Sequence, residues 1–206
     1  MKIVVATFNP GKLRELREIL DLPGVEWVSL GEFPGTRAPE ETGATLEENA
    51  WVKAEAASRR TGLPAVADDT GLEVDALGGA PGVHSARYAG AGAGDDANVR
   101  KLLEAMRDVE PARRSARFRT VCAACLPGGS RPLGVGVLEG RITFVPRGSG
   151  GFGYDPVFEI GGLGRTLAEL GAAEKNSISH RAMAARDLAP RLAASMRDLG
   201  ETKGDS

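Results

Sequence analysis

Two rhythms of apolar and polar positions run along the chain, one of strands and one of helices. Lys2 to Phe8 is a short apolar run, β-branched in part, and predicts a buried strand. Asn9 is a good N-cap and Pro10 suits a first helical position. Leu13, Leu16, Ile19 and Leu20 then mark an apolar helical face ending near Asp21. Pro23-Gly24 is a turn, and Val25 to Leu30 reads as a second strand. Residues 31–44 carry Gly, Pro and acids without period and form a loop. Thr45 with Glu48 three residues later has capping-box spacing, so a helix runs from about Leu46 to Arg60, closed by Gly62 and Pro64. Ala65 to Ala67 is a short strand ending in Asp68-Asp69-Thr70-Gly71, and Leu72 to Val74 continues extended. Residues 78–94 are a Gly/Pro loop with one short ordered piece at most.

Asp95 to Arg107 predicts another helix. Arg117 to Leu126 and Gly134 to Leu138 predict two strands joined by a Pro127-Gly128-Gly129-Ser130 turn. Glu139-Gly140 is a second turn signal before a strand from Ile142 to Val145. Residues 146–156 are Gly-rich, and Tyr154 to Phe158 continue extended. A helical pattern runs from Ser179 to about Leu199, where Pro190 should kink or divide it. Gly200 to Ser206 read as a polar frayed tail. Strands and helices alternate, then strands follow in series: an α/β fold with a mixed sheet, parallel pairs early and hairpins later. Neither an internal repeat nor a separating linker is visible, so residues 1–206 read as a single domain.

Composition narrows the function. With 26 basic and 28 acidic residues among 206, the net charge is −2. That speaks against a nucleic-acid binder, whose domains show a basic excess. No apolar run approaches the ~20 residues of a membrane span. The apolar start is too short for a signal peptide and leads straight into a helix signal, so a cytoplasmic protein is expected. Two Cys fit that compartment. Cys122 and Cys125 form C-x-x-C inside a strand, where residues three apart face opposite sides, so they read as structural cysteines rather than a redox pair. Gly is abundant, 28 of 206, beside 20 Arg to 6 Lys. Codon bias explains such a trend, and the glycines inform only where they cluster.

Five segments carry candidate chemistry. Thr7-Phe8-Asn9-Pro10-Gly11-Lys12 joins strand one to helix one, where free N–H groups and positive potential suit a phosphate. It is not a P-loop, which needs Gly at Ala6 and Ser or Thr at Leu13; a capped helix with a surface Lys is the plainer reading. Asp68-Asp69 places two carboxylates at a buried strand end. Either a hard cation such as Mg²⁺ offsets their repulsion, or they form an Asx-type turn. Pro39-Glu40-Glu41-Thr42-Gly43 is an acidic loop that matters only if it folds back near Asp69. Gly148, Gly150 and Gly153 match G-x-G-x-x-G, but no helix follows, which rejects a dinucleotide site. Glycines beside Phe152 and Tyr154 instead suit a loop against which a flat ring stacks, with Asp155 able to accept from ring N–H groups. Glu174 to Arg181 places His180 and Arg181 at a helix start capped by Ser179, a cluster suited to an anion or a base.

Together these segments resemble the non-canonical purine nucleoside triphosphate pyrophosphatases, also called inosine triphosphate pyrophosphatases. The family's Ser/Thr-x-Asn-x-x-Lys opening matches Thr7, Asn9 and Lys12. Its Glu-Glu-Thr-Gly and Glu-Asn-Ala match residues 40–43 and 48–50. Its Ala-Asp-Asp-Ser/Thr-Gly-Leu and Gly-Gly-Ala-Pro-Gly-x-x-Ser-Ala-Arg-Tyr match 67–72 and 78–88. Gly-Gly-Phe-Gly-Tyr-Asp-Pro and Ser-His-Arg match 150–156 and 179–181. The resemblance spans residue 2 to about 199; Phe8, where a small residue is common, and Pro190 depart from it.

It implies an elongated two-lobed subunit with an active-site cleft between lobes, a homodimer, and Mg²⁺-dependent hydrolysis of ITP, dITP and XTP to the monophosphate and pyrophosphate. By position, Glu40 and Asp69 would bind Mg²⁺, with Asp69 also the general base. Thr7, Phe8, Asn9, Pro10, Gly11, Lys12, Thr70 and Lys175 would hold the triphosphate, with Lys53 a further contact. Phe152, Gly153, Tyr154 and Asp155, with His180 and Arg181, would hold the purine. A binding protein without turnover would not need the acidic pair together with Lys12.

Overall fold

Lys2–Val5 forms the first strand, β1, and Asn9 caps the helix after it, α1 (Pro10–Ile19). The computed structural model describes residues 1–37, 39 and 41–201. β2 (Glu26–Ser29), α2 (Leu46–Thr61), β3 (Ala65–Val74) and β4 (Pro81–Gly82) follow. Then come α3 (Asp95–Ala105), β5 (Ser115–Cys125), β6 (Leu133–Ile142), β7 (Phe158–Ile160), α4 (Ala172–Ile178) and α5 (His180–Glu201). The strands form one sheet in the order β2-β1-β3-β5-β6-β7, with β4 paired to β3. β1 is parallel to β2 and β3, whereas β3–β4 and β6–β7 are antiparallel. This is the mixed α/β sheet expected from the sequence.

The chain divides into two compact units. The first holds Met1–Asp69, Thr120–Gly136 and the segment from Arg181 onward; the second holds Thr70–Arg119 and Val137–His180.

In the first unit, strand alternation builds two core layers. Ile3 and Val5 face one side of β1, with Leu16 and Leu20 of α1 and Leu188 and Leu192 of α5. Val4 faces the other side, with Ala57 of α2 and Leu30. Cys122 is buried in the first layer, whereas Cys125, three residues on, is half-buried; both thiols are free. Gly134 is fixed by close approach rather than by a turn. A Cβ there would stand 2.3 Å from Ala184 O and Leu188 N of α5, backbone atoms that cannot swing aside. Gly134→Ala should cost about 3 kcal/mol, read as a lower urea midpoint; an unchanged midpoint would show that α5 yields freely.

In the second unit, Phe118 packs on Phe158 with centroids 4.7 Å apart. Arg114 is buried, and among the described residues no carboxylate pairs with it. Its guanidinium donates to Met106 O at the end of α3 (2.6 Å), to Ile142 O at the end of β6 (2.8 Å) and to Thr143 O just after it (2.9 Å). Carbonyls at a helix C-terminus stabilise such a cation.

Several expectations needed correction. The short strand expected over Ala65–Ala67, the Asp68-Asp69-Thr70-Gly71 that ends it and the extended Leu72–Val74 form one unbroken strand, β3. β6 runs through Glu139-Gly140, with no turn there, because Gly140 lets β7 approach: a Cβ would lie 2.3 Å from Glu159 O and 2.6 Å from the Phe158 ring. α4 precedes the helix expected from Ser179. α5 is not divided at Pro190, since Leu188 and Leu192 anchor it on both sides. It also carries Gly200 and Glu201, while the rest of the expected tail lies outside the described residues.

Candidate active site

At the end of β1 the chain turns on its own side chains. Thr7 Oγ1 accepts from Asn9 N–H (3.1 Å), and Asn9 Oδ1 accepts from Gly11 N–H (2.8 Å) and Lys12 N–H (3.2 Å). Pro10 and Gly11 form the first turn of α1, and Phe8 is exposed beside it. The helix starts one residue after Asn9, so Lys12 emerges in its first turn. Its Nζ lies 3.0 Å from Asp68 Oδ2. The same oxygen meets Arg181 Nε at 3.1 Å, and Arg181 Nη1 meets Glu15 Oε2 at 2.6 Å. Burial opposes the Asp68 charge, but Lys12 and Arg181, then Lys53, outweigh it and hold the carboxyl far below the usual carboxylate range. Asp68 is a committed anion, occupied by two cations.

Asp69 differs. Burial pushes its carboxyl above the ordinary value; Lys53 pulls against that, and Glu41 adds to it. Lys53 Nζ donates to Asp69 Oδ1 at 2.6 Å and to Glu41 Oε1 at 3.1 Å. Burial disfavours the Lys53 charge, yet Asp69, Asp68 and Glu41 more than compensate, so the ammonium is held more firmly than usual. Asp69 is thus a stronger base than an exposed carboxylate, sharing one cation with a second carboxylate. Oxygen donors of this kind suit a hard divalent cation, and the bridging ammonium marks where positive charge is stabilised. Among the described residues, no group of three or more His, Cys, Asp and Glu could hold a metal alone. Glu40, one of the two expected metal ligands, lies outside the described residues. Glu41 beside it was not assigned a role from sequence.

The acidic loop is pinned to the start of α2. Asn49, fully buried, accepts from Gly43 N–H at 2.8 Å, and Glu48 accepts from Ala44 N–H at 2.7 Å. A Cβ on Gly43 would lie 2.6 Å from Glu48 Cβ, so only glycine lets the loop sit this close. This fastening brings Glu41 to Lys53. Thr70 follows Asp69 on β3, half-buried, as the first residue of the second unit.

The second unit carries a separate constellation. Asp155 Oδ2 accepts from Phe152 N–H (3.0 Å) and from Lys175 Nζ (2.9 Å), and Lys175 Nζ also stands 4.7 Å over the Phe152 ring. Gly151 is required here: its φ is +74°, and a Cβ would fall 2.0 Å from Asp155 Oδ2. Gly153 N–H donates to Asp95 at 2.7 Å, and Tyr154 OH donates to Ser85 O at 2.9 Å. His180 is buried and stacked on Phe118, centroids 4.5 Å apart and planes 23° from parallel.

Lys175, expected at the triphosphate, meets Asp155 and Phe152. Arg181, expected at the purine, is 1% exposed and engaged by Asp68 and Glu15 in the first unit. Glu15 was missed, although its place three residues after Lys12 on one helical face was a usable signal.

Comparison with known proteins adds an independent line. A model of the Ham1 family matches residues 3–191. A dITP/XTP pyrophosphatase of Elusimicrobium minutum is 50% identical over 196 residues, covering 93% of this chain and 100% of that protein. One of Bacillus subtilis is 47% identical over 191 residues, covering 93% and 96%. Among solved structures, a HAM1 protein from Coxiella burnetii superposes with a TM-score of 0.85 at 43% identity, covering 94% of this chain and 99% of that one.

Proposed function

The chain belongs to the Ham1 family, and from that premise we propose that it hydrolyses dITP, ITP and XTP to the nucleoside monophosphate and pyrophosphate, removing deaminated purines from the nucleotide pool. The observation that carries this reading is the Lys53 ammonium shared by Asp69 and Glu41, beside the Lys12–Asp68 pair at the start of α1. A triphosphate with its metal needs both signs of charge close together, and the first unit supplies them.

Asp69 and Glu41, with Glu40 in the same segment, would hold Mg²⁺, which when bound neutralises phosphate oxygens and favours attack by water. Asp69 accepts a proton from the water that attacks the α-phosphorus. The bond from that phosphorus to the α–β bridging oxygen breaks, and pyrophosphate leaves with the electron pair. Lys12 and Lys53 carry the charge that develops on it. Thr7 and Asn9 shape the turn at the start of α1.

In the second unit, Phe152 offers a face for the base, and the Lys175 ammonium and His180 imidazole offer donors for a 6-keto oxygen. Adenine would set an amino group against those donors and leave them unpaired, a strong basis for rejection. A cytoplasmic homodimer accompanies this reading.

A substrate panel tests it. With Mg²⁺, pyrophosphate should appear from dITP, ITP and XTP, with chelation abolishing turnover and ATP turning over at least ~100-fold more slowly. Orthophosphate as the only product, or equal use of ATP, would overturn the proposal.

A further inference from the structure

Glu15 has no role in the reaction just described, yet it closes the charge network on which that reaction depends. It stands on α1 three residues after Lys12, so the two side chains leave the same helical face. Lys12 Nζ meets Asp68 Oδ2 at 3.0 Å, Arg181 Nε meets that same oxygen at 3.1 Å, and Arg181 Nη1 meets Glu15 Oε2 at 2.6 Å. Charge alternates along the row: cation, anion, cation, anion. Its inner members, Asp68 and Arg181, are sealed from solvent, and Glu15 is largely covered. Two cations therefore compete for one carboxylate oxygen in a place where water screens little.

A guanidinium is a fork that favours two parallel bonds to one carboxylate. Arg181 holds Asp68 through Nε while Glu15 takes Nη1. Without the Glu15 charge, the fork is drawn more strongly to Asp68, and Lys12 loses its share of that carboxylate. We propose that Glu15 is a positioning residue for triphosphate binding: by holding Arg181 it preserves the Lys12–Asp68 pair and so fixes the Lys12 ammonium at the start of α1. The inference rests on Lys12 being a triphosphate ligand.

Glu15→Gln keeps an acceptor oxygen and removes the charge. It should raise KM for dITP roughly tenfold and weaken binding of magnesium pyrophosphate, measured by calorimetry, by a similar factor, with kcat within about threefold of the wild type. In a double-mutant cycle, Glu15→Gln added to Lys12→Ala should weaken pyrophosphate binding no further, because its effect passes through Lys12. A purely structural role would instead give additive losses. Additive losses, or an unchanged KM and pyrophosphate affinity, would overturn the proposal. Should Glu15→Gln fail to fold, Glu15→Asp, which keeps the charge on a shorter stem, should show the same KM-selective defect in milder form, and an unaltered KM would overturn the proposal equally. A wild-type enzyme that releases no pyrophosphate from dITP would refute the underlying reading, whereas a competent wild type with an additive cycle refutes Glu15 alone.

Discussion

Asp69→Asn should slow pyrophosphate release from dITP by about 10³-fold while leaving the fold intact. The substitution keeps the volume of the side chain and an oxygen to accept from Lys53, which sits 2.6 Å from Oδ1. It removes the negative charge needed to hold a divalent cation and the basicity needed to take a proton from water. The measurement is kcat on dITP alongside a urea unfolding curve. A rate within about tenfold of the wild type would remove Asp69 from the chemistry.

Arg181→Met should cost about 3–5 kcal/mol of stability, because it strips a cation from a buried carboxylate and leaves charge behind. Asp68, at the centre of the network, has its folded pKa depressed, with burial opposing and Lys12 and Arg181 prevailing. A carboxyl of this kind adds stability above its unfolded pKa of ~3.9 and loses it as pH falls below that value toward the folded one. Removing Arg181 lifts the folded pKa of Asp68 toward the unfolded one. The difference between variant and wild type should therefore be largest near pH ~7 and shrink as pH falls below ~4. Urea unfolding at both pH values decides it. A loss under ~1 kcal/mol at neutral pH, or one that does not change with pH, would mean that Arg181 does not sustain Asp68.

Local signals recovered much of the fold. The Asn9 and Thr45 caps start α1 and α2 where expected, and Asp95 opens α3. What failed was wherever a distant partner outvoted the local pattern. Adjacent aspartates argue against a strand, yet β3 passes through them because Lys12, Arg181 and Lys53 neutralise them from α1, α5 and α2. Glu139-Gly140 is a turn signal, yet β6 continues because the missing Cβ is what β7 needs. The site divides the same way. Residue types at Lys12, Asp68-Asp69 and Phe152–Asp155 announced charge and stacking chemistry. Which cation pairs with which anion was not legible, since Arg181 and Asp68 lie 113 residues apart. Arg114 gave no signal, because its partners are backbone carbonyls.

The division of the chain also bears on how the protein is made. The first unit draws its core from both ends of the described chain: Ile3, Val5 and Leu16 at one, Leu188 and Leu192 on α5 at the other. Both segments of the second unit are nested between them. A ribosome must therefore deliver nearly everything before the first layer of apolar side chains finds its cover. Until α5 emerges, β1 and α1 hold an open apolar face, which is when a nascent chain is exposed to chaperones and to aggregation. The Arg181–Asp68 pair forms in the same late event, so in a growing chain the neutralising of Asp68 from α5 and the closing of that core arrive together.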